Sequence, residues 1–184
     1  MLWSLERHPE SQGGDGLRVE VDVTRPAPGL LSLDYMLTGD TSDVRLPAPG
    51  PTERTDDLWR TTCFEAFVRT RGGERYCELN FAPSTCWAAY RLVGYRKGMA
   101  PIDRIDAPTI SGRSEVGRYQ LQVAADLGRS PDLPASGVWR IGLSVVLEHR
   151  AGGMSYWALA HPPGKPDFHH PDSFALELGP TDPA

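Results

Sequence analysis

Three of the chain's five histidines fall within ten residues, in the run His161-Pro-Pro-Gly-Lys-Pro-Asp-Phe-His169-His170. Imidazole can ligate a metal, carry a proton or hydrogen-bond a ligand hydroxyl. A shared metal is the least favoured of these roles. Adjacent side chains on an extended chain point to opposite sides, so His169 and His170 would not share one ion. No H-E-x-x-H and no Cys/His zinc spacing accompanies them, so no metal is expected. The prolines fix φ and remove amide donors, which makes the segment a rigid, non-strand connection. Histidine rings in such a loop can also satisfy carbonyls left without partners. Architecture is therefore the leading reading and ligand contact the second.

Glu65 and Glu78 are the other residues with chemistry in them. A carboxylate pair does acid/base work only when its environment splits the two pKa values. No G-x-S-x-G occurs, and no serine or cysteine has an evident base beside it. No catalytic residue is assigned, and the chain is expected to bind rather than to catalyse. Glycosidase-type chemistry on the two glutamates is the catalytic alternative. Aromatic residues with charged neighbours point toward binding: Trp59-Arg60, then Trp87, Tyr90, Tyr95 and Arg96, and later Tyr156-Trp157. Sugars are held by rings against their C–H faces, with a few placed polar groups on their hydroxyls. The candidate ligand-binding set is Trp59, Arg60, Glu65, Asn80, Trp87, Arg96, His161, Lys165, Asp167, His169 and His170. The proline-locked stretch would serve these residues as an arm ordered before the ligand arrives.

The elements that must position this set read as strands. Leu17, Val19, Val21 and Val23 alternate with polar residues, and Leu31, Leu33, Tyr35 and Leu37 repeat the pattern. Residues 38–58, rich in Pro, Gly and Asp, read as a long loop. Loops of that length are uncommon unless they carry function or are disordered. Gly72-Gly73 then separates two β-type runs, as in a tight hairpin with Arg71 facing Glu74. That register sets Phe64 opposite Phe81, Ala66 opposite Leu79 and Val68 opposite Cys77, on one apolar face. Glu65 opposite Asn80, Phe67 opposite Glu78 and Arg69 opposite Tyr76 make the other face. A slip of one residue would mix the two sets. Further strands are expected at Trp87–Leu92, Tyr119–Ala125, Val138–Glu148, Met154–Ala160 and Phe174–Leu178, although STCWAAYRL could compete as a short helix. Trp139 falls on the apolar phase of its strand and belongs to the core. The expected fold is all-β, an antiparallel sandwich of jelly-roll or immunoglobulin-like type with about nine or ten strands.

A chain of 184 residues fits one domain with a full core, here 1–179, with 180–184 as a C-terminal tail. A net charge of −5 argues against a nucleic-acid partner. No run of about 18 apolar residues occurs that could cross a membrane as a helix, and the first residues lack the pattern of a signal peptide. The three cysteines, Cys63, Cys77 and Cys86, match no metal spacing and read as reduced thiols. A cytoplasmic setting is the expectation.

The stretches DLWRTTCFEAFV, YCELNFAPSTCWAAYRL, YRKGM and SYWALAHPPGKPDFHHPDSFALEL together resemble the bacterial DOMON-like domain proteins, in the branch labelled MurB-like. These are relatives of the family 9 carbohydrate-binding modules. The resemblance runs over about residues 5 to 178, and the final stretch is its most specific part. It implies a β-sandwich that binds a sugar or a haem. Sugar-binding relatives stack the ligand between tryptophans, for which Trp59 is the candidate here. Haem-binding relatives use a methionine with a histidine or lysine as axial ligands. Met99 with His169, His170 or Lys165 would fill those roles, making haem b the alternative to no cofactor. The reduction chemistry in the MurB label needs a flavin fold that the strand pattern does not provide. The resulting expectation is a small-ligand module, for a carbohydrate or glycosylated metabolite. A haem electron-transfer module and a ligand-free interaction domain are the alternatives.

Overall fold

In the computed structural model, which describes residues 2–134 and 136–180, the chain folds into twelve strands and three single-turn 3-10 helices. The strands are β1 (Leu2–Arg7), β2 (Arg18–Thr24), β3 (Leu30–Thr38), β4 (Cys63–Thr70), β5 (Tyr76–Phe81) and β6 (Trp87–Leu92). They continue with β7 (Ala100–Pro101), β8 (Thr109–Glu115), β9 (Arg118–Asp126), β10 (Trp139–Glu148), β11 (Met154–Ala158) and β12 (Leu176–Leu178). Hydrogen bonding runs in the order β7-β6-β5-β4-β10-β11-β1-β2-β3-β9-β8, with β12 also on β10. Each of these strand pairs is antiparallel.

The sheet curls until its two ends lie face to face. Strand β1 is the seam: Leu2–Leu5 pair with β2, while Glu6 and Arg7 pair with β11. Inward residues of both halves form one core. The Tyr35 and Phe64 rings lie 5.1 Å apart, and those of Phe64 and Tyr119 6.0 Å apart. The Tyr35 hydroxyl crosses the interface to donate to the Glu65 carbonyl at 2.8 Å. The β2-β3-β9 half follows simple alternation: Val19, Val21, Val23, Leu31, Leu33, Leu37, Leu121 and Val123 are buried, and their neighbours face outward. The other half does not. Strands β4 and β5 are buried on both faces apart from the last turn of β4, so something covers their outer side.

The covering layer has a topological cause. Strands β11 and β12 share one flank of β10: β11 pairs with Ser144–Glu148 and β12 with Trp139–Ile141. The chain joining them, residues 159–175, must leave the sheet and return. In doing so it crosses the outer face of β4 and β5, and Phe174 packs there beside Phe67 and Tyr76. This joining chain is the histidine segment.

The hairpin register holds at each pair from Phe64↔Phe81 to Arg69↔Tyr76. Its turn differs from the expected two-residue loop. The ladder stops at Arg69–Tyr76, Gly73 N–H donates to the Thr70 carbonyl at 3.0 Å, and Arg71 N–H goes to Val138. Gly72 takes φ of +78° in this turn, a conformation that suits glycine. Twelve strands replace the expected nine or ten, because β1, β7 and β8 were not anticipated. Strand β8, Thr-Ile-Ser-Gly-Arg-Ser-Glu, is an edge strand whose residues all keep solvent contact, so it has no apolar period to read. STCWAAYRL resolves as a turn into β6 rather than a helix, and Phe174 belongs to the turn before β12. The long loop is pinned, not loose. It bridges Val44 to His149 and Arg54 to Trp87, and ends in a 3-10 turn at Leu58–Arg60. Of the expected tail, residues beyond Pro180 lie outside the described part of the chain.

Candidate functional site

Between the outer face of β4-β5 and the 159–175 arm lies a cleft of about 470 Å³. Its floor is the polar face of the hairpin: Glu65 and Phe67 from β4, and Glu78 from β5. Strand periodicity puts these side chains outward once Phe64, Ala66 and Leu79 turn inward. Trp59, Tyr156 and Phe168 supply aromatic walls, and Arg96 and Met99 come from the chain between β6 and β7. The Trp59 ring is set edge-on against Tyr90 at 6.3 Å.

The carboxylates are nearly sealed from water, Glu65 at 2% exposure and Glu78 at 4%. Glu65 accepts from Ser144 Oγ at 2.9 Å. Burial, reinforced by the Glu78 charge, pushes its pKa up to about 8, so at neutral pH it holds its proton. Burial also raises the Glu78 pKa, against the opposing pull of an Asn80 hydrogen bond and of the Arg96 charge. Asn80 Nδ2 donates to Glu78 Oε1 at 3.0 Å. The second oxygen, Oε2, has no hydrogen-bond partner, nor has Asn80 Oδ1. His169 Nε2 lies 3.8 Å from Glu78 Oε2, too far for a hydrogen bond. Buried acceptors without partners cost about 1–3 kcal/mol each. A ligand donor would remove that cost.

His169 closes the cleft from the arm. Its Nδ1 is hydrogen-bonded to the Tyr76 hydroxyl at 2.8 Å, and its ring meets the edge of Phe67 at 5.1 Å. Burial first, then the Arg96 charge, lowers its pKa to about 4, so it is neutral at pH 7. Asp167 clamps the arm to the chain after β6. It accepts from Arg96 Nη2 at 2.8 Å, from the Tyr95 hydroxyl, and from the His169 backbone N–H at 3.1 Å. Burial opposes ionisation there, but the Tyr95 and Arg96 bonds outweigh it and hold Asp167 below its ordinary pKa. Arg96 reaches this position with φ of +52°, a left-handed turn uncommon outside glycine.

The structure thus gathers Trp59, Glu65, Arg96 and His169 around one cleft, with Asn80 and Asp167 hydrogen-bonded to groups that line it. Others in the expected set go elsewhere. Trp87 faces the core opposite Phe81, 5% exposed, because its strand phase points it inward, and Arg54 stacks over it. Arg60 is exposed and pairs with Asp57 at 3.6 Å. His161 Nε2 bonds the Glu6 carbonyl at 2.8 Å and its ring packs on His8, which makes it a strut between arm and β1. Lys165 lies over separate shallow hollows outside the cleft. His170 turns away from His169, as adjacent side chains do, and its Nδ1 accepts from Asp172 N–H to cap the Pro171–Ser173 turn. Of the three histidines, two build the arm and one faces the cleft.

Phe67, Tyr156, Phe168 and Ser144 belong to the site although they were not among the candidates. Phe67 was legible, since it shares the polar hairpin face with Glu65. Ser144 carries no sequence signal, because its role depends on β10 falling beside β4. Among the described residues no group of three or more His, Cys, Asp or Glu is arranged to hold a metal. Met99 and His169 line the same cleft, and of the His169 nitrogens Nδ1 is hydrogen-bonded, to the Tyr76 hydroxyl.

A β-rich domain curled in this way has the fold of carbohydrate-binding modules. A crystal structure of a Bacteroides uniformis protein described as carbohydrate-binding superposes with a TM-score of 0.61 at 13% identity, covering 94% of this chain and 83% of that one. A family 9 carbohydrate-binding module from Caldicellulosiruptor kristjanssonii, solved in complex with glucose, superposes with a TM-score of 0.54 at 10% identity, covering 98% of this chain and 86% of that one. No protein-family model matches the chain, and no curated protein matches it in sequence.

Proposed function

We propose that the chain is a non-catalytic binding module for a carbohydrate or glycosylated metabolite, and that the cleft under the 159–175 arm is its site. One observation carries this reading: an unpartnered buried oxygen on Glu78 lies at a cleft walled by Trp59, Tyr156 and Phe168. Such a surface offers rings to C–H faces and acceptors to hydroxyl donors, with the arm already ordered. Its shared fold with a glucose-bound module supports the same ligand class. Kinship with the MurB-like branch of DOMON-like domains is proposed on the sequence resemblance alone.

Isothermal titration with glucose, cello-oligosaccharides and a wider sugar panel tests this. The expected result is a saturable heat for at least one sugar, weakened tenfold or more by Trp59→Ala. A panel that gives no binding, or binding indifferent to that substitution, would overturn the reading. A binder returns its glycosides unchanged; released reducing ends would mark Glu65 and Glu78 as catalytic instead.

A further inference from the structure

The floor of the cleft presents a problem in charge that the sugar reading leaves open. Two glutamates share one face of adjacent strands under the arm at 2% and 4% exposure, diagonal in the ladder, with Glu65 opposite Asn80 and Glu78 opposite Phe67. No cation is hydrogen-bonded to either among the described residues. Glu65 is faced by Ser144 from β10, Cys63 from its own strand and Glu78 from β5. Glu78 is faced by Asn80, by the neutral His169 at 3.8 Å, by the Tyr76 and Tyr90 hydroxyls, and by the Arg96 charge. Arg96 is spent elsewhere, since its guanidinium is bonded to Asp167 at 2.8 Å. Aromatic rings line the same cleft, Phe67 on its floor and Trp59, Tyr156 and Phe168 on its walls. Carboxylates beneath aromatic rings form the general recognition chemistry of an organic ammonium group, combining charge pairing with cation–π attraction.

We propose that the cleft takes a ligand bearing a protonated amine, an amino sugar in the setting of the sugar reading on which this rests, with the ammonium seated at Glu65 and Glu78. The unpartnered Glu78 Oε2 is the acceptor waiting for its first N–H. Ion pairing there needs Glu65 ionised, and burial keeps that group protonated up to about pH 8. Binding at neutral pH therefore displaces a proton from Glu65 to solvent. Affinity for an amine that keeps its charge must rise with pH, by as much as about tenfold per unit below that value.

Two pairs of probes isolate the amine: glucosamine against glucose, and cyclohexylamine against cyclohexanol. The amine of each pair is expected to bind at least tenfold tighter, glucosamine at pH 7 and cyclohexylamine at pH 8, where each still carries its charge, and Glu65→Gln and Glu78→Gln are each expected to remove that preference. Titration of the unmodified protein with cyclohexylamine in buffers of different ionisation enthalpy should show a proton released at pH 7. This last readout needs no variant, so it decides the matter if either substitution lowers the melting temperature. Equal affinity within both pairs, or a preference that survives both substitutions without proton release, overturns the proposal and leaves sugar binding standing. A preference for cyclohexylamine with neither sugar bound would keep the amine pocket and remove the sugar reading. Four silent probes would overturn the amine proposal and leave the sugar reading to the wider panel.

Discussion

The two faces of the β4-β5 hairpin are both out of water, and they are out of it for opposite reasons. Phe64, Ala66, Val68, Leu79 and Phe81 face the opposing half of the sheet and fill the core with apolar atoms. Glu65, Phe67, Glu78 and Asn80 face the 159–175 arm, which covers them without matching each of their polar atoms. The first face is closed by packing. The second is closed by topology, because β11 and β12 lie on the same flank of β10 and the chain between them must pass over this side. On the second face the unpartnered Glu78 Oε2 borders the cleft.

The largest effects should come from breaking the inner face. Phe64→Ala or Phe81→Ala is expected to cost about 3–5 kcal/mol in denaturant unfolding, the ordinary range for a buried phenylalanine. Less than about 1 kcal/mol at both positions would mean the core is not where these rings lie.

Next in size is a pH effect confined to the outer face. Glu65 holds its proton in the folded state to about pH 8 and releases it near 4.5 when unfolded. The stability that depends on the proton is complete below 4.5 and is lost as pH rises toward 8. His169 goes the other way: its folded pKa is lowered from 6.5 to about 4, so its contribution is complete above 6.5 and is lost as pH falls. Between about 4.5 and 6.5 the two slopes oppose and largely cancel. Above 6.5 His169 no longer opposes, Glu78 acts in the same direction as Glu65, and the Glu65 share of the fall in unfolding free energy should be roughly 1.4 kcal/mol per pH unit at most until about pH 8. Glu65→Gln should flatten that limb; an unchanged slope would show that Glu65 ionises freely.

Smaller effects separate binding from stability on the outer face. Trp59 is only partly buried, so Trp59→Ala should cost less than about 1.5 kcal/mol of stability while binding falls tenfold or more. Smallest of all, Asp167→Asn weakens the clamp from Arg96 and Tyr95. The pair is half in solvent, with the Arg96 side chain 52% exposed, so the expected loss is about 0.2–1 kcal/mol. Its signature would be faster amide exchange in the arm, at His169 above all, with exchange in β4 unchanged.

The inner face was legible in the sequence and the outer site only partly so. Alternation of Phe64, Ala66 and Val68 against Leu79 and Phe81 fixes both the register and the buried side, since a slip would expose one set. The same register names Glu65, Asn80, Phe67 and Glu78 as neighbours before any coordinate is seen. The cover over them was not legible. Nothing in residues 161–170 says that β11 and β12 flank the same strand, so the arm's path could not be derived. Trp87 was misplaced because an aromatic residue beside the hairpin looks the same on either strand phase. Its inward phase follows only from its pairing with Phe81. His169 and His170 show how far local geometry reaches: opposite directions were predictable, but which one faces the cleft was not.

Strand β1 has a consequence for how the molecule assembles. Its first four residues pair with β2 early, through partners no more than about twenty positions away. Its last two residues wait for β11, with Glu6 against Ala158 and Arg7 against Trp157, roughly 150 residues along the chain. The β1-β2-β3 and β4-β5-β6 stretches can form from local pairings, but the curl cannot shut until almost the whole chain has been ordered. Closure of so long a loop places the seam late, and folding belongs in the slow, millisecond-to-second range of proteins dominated by distant strand pairs. The His161 strut to the Glu6 carbonyl lies at this same joint. The arm that covers the cleft is then also the bolt that shuts the barrel-like curl, and a pulse of deuterium during refolding should find its amides among the last to be protected.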